Sequence, residues 1–198
     1  MDLDNIEKIA EKHYTDLPYH NFEHALKVKE YAIRLIDRCK KNGIKVNEEI
    51  IIIAALFHDA GYEEVKENKE QHSCKIMESE LKKLNCSIKK INEVKNTIMA
   101  TEKDYKLTTS EQKILRASDL SGFMASYQEF KTASDRIIEE FKILYPEKKF
   151  PIKKWTELVE SYLIPEIKLT KDYKKDNFHG KAKENIQRFL KENKDNFI

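Results

Sequence analysis

Apolar residues recur along this chain at intervals of three and four, the spacing that lines one face of a helix. Ile6, Ile9, Ala10 and His13 line a short first helix, which Leu17-Pro18-Tyr19 ends. Asn21 suits the N-cap of a second helix running to about Lys41. Leu26, Ile33 and Ile36 are among its apolar positions, and Asn42-Gly43 is its stop. Asn47 suits the cap of a third helix, whose centre from Ile50 to Phe57 is apolar all round. Its four consecutive isoleucines would also suit a strand. Ala54-Ala55-Leu56 and the length out to Gly61 favour a buried helix. Further helices are expected over about 67–85, 88–101, 110–126, 127–145, 150–171 and 178–194. Pro146, Pro151 and Pro165 punctuate the last third, and Pro165 should kink or split its helix.

Composition supports helices. Four Gly and four Pro in 198 residues supply few of the turns a strand-rich fold needs. The expectation is an all-α bundle forming a single domain over 1–198, with no internal repeat or low-complexity segment. The 37 basic and 35 acidic residues nearly balance, which argues against a dedicated binder of duplex nucleic acid. No apolar run approaches a membrane span. Cys39, Cys74 and Cys86 fit no metal or CxxC spacing and read as reduced packing thiols. Met1-Asp2-Leu3-Asp4 carries no signal-like region, and the expected location is cytoplasmic. An exposed apolar helix face could supply a homodimer contact.

Candidate chemistry changes the picture. His58-Asp59 ends the most apolar run of the chain, where an imidazole and a carboxylate are costly without a partner. With six His and eleven Asp, chance alone supplies roughly 0.3 such pairs, so the dipeptide needs company. His20 and His24 lie four apart, one just ahead of the second helix and one in its first turn. Asp119 stands among small and apolar residues, as either a cap or a buried group with a partner. Imidazole nitrogen and carboxylate oxygen together suit a divalent metal with open positions.

These residues resemble the HD-domain superfamily of metal-dependent phosphohydrolases. Tyr19-His20-Asn21-x-x-His24-Ala25 resembles its YHNxxHA element, and Ala55 to Tyr62 its ALFHDxGY signature. Glu70-x-x-Ser73 resembles NExxSA, with Lys69 and Cys74 departing, and Ala117-Ser118-Asp119-Leu120 resembles DADL. The motifs span about 19–123, and Arg188-Phe189-Leu190 loosely resembles the family's closing helix. The resemblance implies an all-helical domain, with the helices of 127–198 packed on the motif core. It implies that His24, His58, Asp59 and Asp119 ligate one divalent ion: Mn, Fe, Co, Ni, Zn or Mg. It makes His20 the proton donor to a leaving group. Members with two metals add histidines between the His-Asp pair and the last Asp; here only His72 lies there. Ala100-Thr101-Glu102-Lys103-Asp104-Tyr105 occupies the place of a family ATKxH segment and offers Asp104 and Tyr105 instead of the histidine. One metal is therefore expected.

The function implied is hydrolysis of a phosphoester in a nucleotide or other small phosphorylated molecule. Glu70 or Glu63 could orient the attacking water, and Lys103 or Arg116 could bind phosphate. Each of these four is also a natural surface or structural residue. His13 and His179 are not expected as ligands. Trp155, Tyr162 and Phe150 are core anchors or, alternatively, walls of a base pocket. The competing readings are a regulatory module that binds metal and nucleotide without turnover, and a di-iron oxygenase needing His72.

Overall fold

In the computed structural model, which describes residues 2–149, Glu157, Leu169 and 178–193, every regular element is helical. Eight α-helices stand in order among the described residues. They are α1 Leu3–Glu11, α2 Phe22–Lys41, α3 Glu48–Phe57, α4 Lys69–Lys83, α5 Ile88–Ile98, α6 Ser110–Asp119, α7 Tyr127–Leu144 and α8 Phe178–Glu192. Short 3-10 turns, Met99–Thr101 and Leu120–Met124, extend α5 and α6. The all-α expectation holds.

Local chemistry sets the helix starts. Asn21 and Asn47 cap α2 and α3 as their positions predict, accepting from the backbone N–H of His24 and Ile50. Ser126 and Glu129 close a capping box on α7. Gly43 ends α2 region with φ +69°, a conformation few other residues adopt without strain. The isoleucine run is helix: Ile51, Ile53, Leu56 and Phe57 are fully buried. Burying each such side chain contributes about 1.5–3 kcal/mol.

Two expected helices end early. The α-helix over Glu48–Phe57 stops at His58, and a series of turns carries the chain through Gly61. The helix expected over 110–126 stops at Asp119 and tightens to 3-10 geometry. The expected helix 150–171 lies outside the described residues apart from Glu157 and Leu169, as do Phe150, Trp155 and Tyr162.

The chain gathers into two compact units, Met1–Asp119 and Leu120–Ile198. In the first, α3 is the central helix, touching α1, α2, α4, α5 and α6. In the second, Phe130 of α7 packs edge-on to Phe189 of α8 at 5.8 Å. There Asn185 Nδ2 donates to the carbonyls of Phe123 and Ala125, at 2.9 and 3.1 Å. Among the described residues, no helix is long and apolar enough to cross a membrane.

Candidate metal centre

Three helix ends of the first unit meet at one place. His24 is in the first turn of α2, His58 follows the last turn of α3, and Asp119 is the last residue of α6. Asn21 ties down the first of these. Its Nδ2 donates to the Leu17 carbonyl at 2.7 Å while its Oδ1 accepts from the His24 N–H at 3.1 Å. Arg116 fixes the third. It is 2% exposed and donates Nε and Nη2 to the carbonyls of Ala100 and Glu102, so it is a structural clasp on the turn after α5. Of the two readings open for Arg116, phosphate binder or structural residue, these bonds match the structural one. Lys103, the other phosphate candidate, is exposed.

The ligand atoms are mutually close. His24 Nε2 lies 3.3 Å from His58 Nε2, 3.3 Å from Asp119 Oδ1 and 3.5 Å from Asp59 Oδ2. His58 Nε2 lies 2.9 Å from Asp59 Oδ2 and 3.6 Å from Asp119 Oδ1. Ligands bonded at about 2.1 Å to one ion stand about 3.0–3.4 Å apart in tetrahedral or octahedral geometry. Among the described residues, His24, His58 and Asp119 form a group whose atoms all lie within 4.8 Å of one another and could hold a metal ion. Asp59 stands at its edge, bound into it through the two imidazoles.

The protonation logic points the same way. His58 Nδ1 is 2.9 Å from the Ala55 carbonyl, and a carbonyl only accepts, so Nδ1 carries a hydrogen. Nε2 is then the atom offered to the cluster, the arrangement usual for a metal-ligating histidine. Burial alone would push the His58 pKa down, yet the Asp59 and Asp119 carboxylates outweigh it and hold it well above the ordinary imidazole value. Burial would raise Asp59, but His58, His20 and His24 together hold it at about 2. Asp119 is lowered as well, against its burial, by His24 and His58. The cluster thus demands positive charge, and a proton on His58 is one way to meet it. Asp59 Oδ2 remains a buried oxygen without a hydrogen-bond donor. It lies 2.9 Å from His58 Nε2, close enough for strong charge attraction. An orphaned carboxylate oxygen facing two imidazole nitrogens fits a cation.

The remaining predicted residues stand around this cluster. His20 lies beside the cluster, its ring 6.0 Å from that of His24 and stacked on Tyr62 at 3.7 Å and 10°. Glu70 is in the first turn of α4; burial, then the negative charge of Asp59, Glu102 and Asp119, raises its pKa. Glu63 is exposed and lines a small pocket next to Asp59 and His20. His72 pairs instead with Glu64 at 2.8 Å and is outside the ligand group. His13 lies 3.3 Å from Glu80.

Two contributors escaped the sequence reading. Tyr14 donates its hydroxyl to the Leu56 carbonyl at 3.0 Å, securing the end of α3 just before His58 and Asp59. Tyr62 orients His20. Tyr14 had no sequence signal, whereas Tyr62 stood in plain view within the Phe57-to-Tyr62 stretch.

A family model described as HD domain matches residues 21–124, more than half of the chain. The match takes in His24, His58, Asp59, Glu70 and Asp119, and begins one residue after His20. No curated protein matches the chain.

Proposed function

The chain belongs to the HD-domain family, and on that premise we propose that it is a metal-dependent phosphohydrolase cleaving a phosphoester of a nucleotide or another small phosphorylated molecule. The observation that carries this reading is the orphaned Asp59 oxygen within a knot of two imidazoles and two carboxylates. His24, His58, Asp59 and Asp119 would hold one divalent ion, and this donor set accepts Mn, Fe, Co, Ni, Zn or Mg. Such an ion supplies charge neutralisation for a phosphoryl oxygen and a more acidic water.

The chain's own groups do the rest. His24 and His58 are 8% and 1% exposed, whereas the Asp59 and Asp119 side chains are 14% and 23% exposed. Substrate therefore approaches on the carboxylate side. His20 is close to the ligands without being one of them, within reach of the leaving oxygen of a phosphoester seated there. Imidazole exchanges protons readily near neutral pH. As the bond from water oxygen to phosphorus forms, the bond from phosphorus to the leaving oxygen breaks, and the His20 proton passes to that oxygen. Glu70, with its raised proton affinity, orients the water and takes its proton.

Protein loaded in turn with each ion is to be assayed against nucleoside monophosphates, cyclic nucleotides, sugar phosphates and phenyl phosphate. Metal-dependent release of phosphate or a nucleoside is expected. Cleavage of no member with any ion would end this reading. A phosphoester that bound tightly and persisted unchanged would favour a regulatory module.

A further inference from the structure

We propose that Lys69 is a positioning residue for proton donation: its ammonium holds the Tyr62 ring, and that ring holds the His20 imidazole towards the leaving oxygen. The proposal rests on the phosphohydrolase reading above, in which His20 gives that oxygen its proton.

Three segments of the first unit build the stack. His20 lies just ahead of α2, Tyr62 is in the turns after α3, and Lys69 is the first residue of α4. The His20 and Tyr62 rings are 3.7 Å apart and within 10° of parallel. Lys69 Nζ is 3.1 Å from the centre of the Tyr62 ring. Two groups so near one ring centre would overlap on a shared face, so the ring is sandwiched between them. Backbone geometry aims both partners of His20. Gly61 turns the chain with φ +71°, and a Cβ there would stand 2.5 Å from Ile76 Cδ1 and 2.9 Å from the His72 ring. Tyr62 closes the turn, donating its N–H to the Asp59 carbonyl at 3.1 Å. Asn68 takes the left-handed conformation, φ 56°, immediately before Lys69.

A proton donor needs such support. An imidazole turns about two side-chain bonds, and a displacement of about 1 Å at a reacting centre costs about 100-fold in rate. Tyr19 meets the His20 ring edge-on at 4.9 Å and 84°, while Tyr62 covers a face, so the ring plane is fixed from two directions. Tyr62 is itself half-buried, in a turn whose next two residues, Glu63 and Glu64, are exposed. The ring quadrupole attracts the Lys69 ammonium, which favours the held ring over a released one by about two- to thirtyfold. With the ring between them, Lys69 acts on His20 through Tyr62.

The test compares Lys69→Met, which keeps the apolar stem without the charge, with Lys69→Arg, which keeps a cation for the ring. Both are assayed as metal-loaded full chains. Lys69→Met is expected to lower kcat about tenfold for glycerol phosphate, and about threefold or less for nitrophenyl phosphate, whose leaving oxygen needs little help. KM and metal content should hold, and Lys69→Arg should recover most of the loss. The NMR signals of the His20 ring protons, identified by their loss in His20→Asn, should move downfield in Lys69→Met as the ring leaves the Tyr62 face. Equal losses for the two esters, no loss, no recovery with arginine, or unmoved His20 signals would each overturn the positioning role, while the phosphohydrolase reading stands on the activity of the parent chain. Cleavage of no phosphoester by the parent chain would overturn both.

Discussion

His24 and His58 are buried and anchored, the first by its backbone N–H to the Asn21 side chain and the second by its ring to the Ala55 carbonyl. His20, with its ring 6.0 Å from His24, is half-buried and rests on the face of Tyr62. The ligand side of this site is an outgrowth of the core: its atoms sit at the ends of helices whose packing is already decided. The donor side is made of side-chain contacts between turns. Metal binding and proton donation should therefore fail independently.

The largest effect expected is from His58→Ala or Asp119→Ala. Either should abolish stoichiometric metal binding, measured by atomic emission on the purified protein, and lower phosphoester cleavage by at least about 1000-fold. Retained metal at one equivalent would contradict the ligand assignment. His20→Asn should leave metal content unchanged yet lower kcat by about 10²–10⁴-fold. The loss should be greater for alkyl phosphates than for nitrophenyl phosphate, whose leaving oxygen needs little help. Equal losses for both would remove the donor role.

A third measurement addresses the charge of the ligand side. In the metal-free protein the raised His58 pKa contributes stability that is fully present below the ordinary imidazole value and lost as pH rises through the raised value. A metal must displace that proton. Metal affinity should therefore tighten by about tenfold per pH unit over the range where His58 is protonated. The gap in Tm between metal-loaded and metal-free protein should widen as pH rises above the ordinary imidazole value towards the raised one. Calorimetry in buffers of different ionisation heat would count the released proton; a count of zero would show that metal binding displaces none from His58. Asn21→Ala gives the smallest effect and joins the two sides, because Asn21 binds the Leu17 carbonyl as well as the His24 N–H. A loss of about 1 kcal/mol in chemical denaturation is expected, with both metal affinity and kcat reduced. If only one changed, the cap would serve one side alone.

Much of the fold was legible because its signals are local. Asn21 and Asn47 cap where an Asn ahead of an apolar period should, and helix-forming Ala54-Ala55-Leu56 outweighed the strand preference of four isoleucines. The break of the expected 110–126 helix at Asp119 was not legible, since no Gly or Pro marks it before Gly122. Nor was the task of Arg116, whose carbonyl partners at Ala100 and Glu102 lie 16 and 14 residues away.

The apolar period by itself determined the helical class, and the residue types His20, His24, His58-Asp59 and Asp119 the chemistry on offer. Helix period and metal preference are properties of short stretches and single side chains. Tertiary structure alone decided which donors converge. It set Asp59 at the edge of the group, drew His72 away to Glu64, and laid Tyr62 against His20. Convergence depends on how helix ends pack, and residues as distant in sequence as His24 and Asp119 meet only when α2, α3 and α6 bury their apolar faces together.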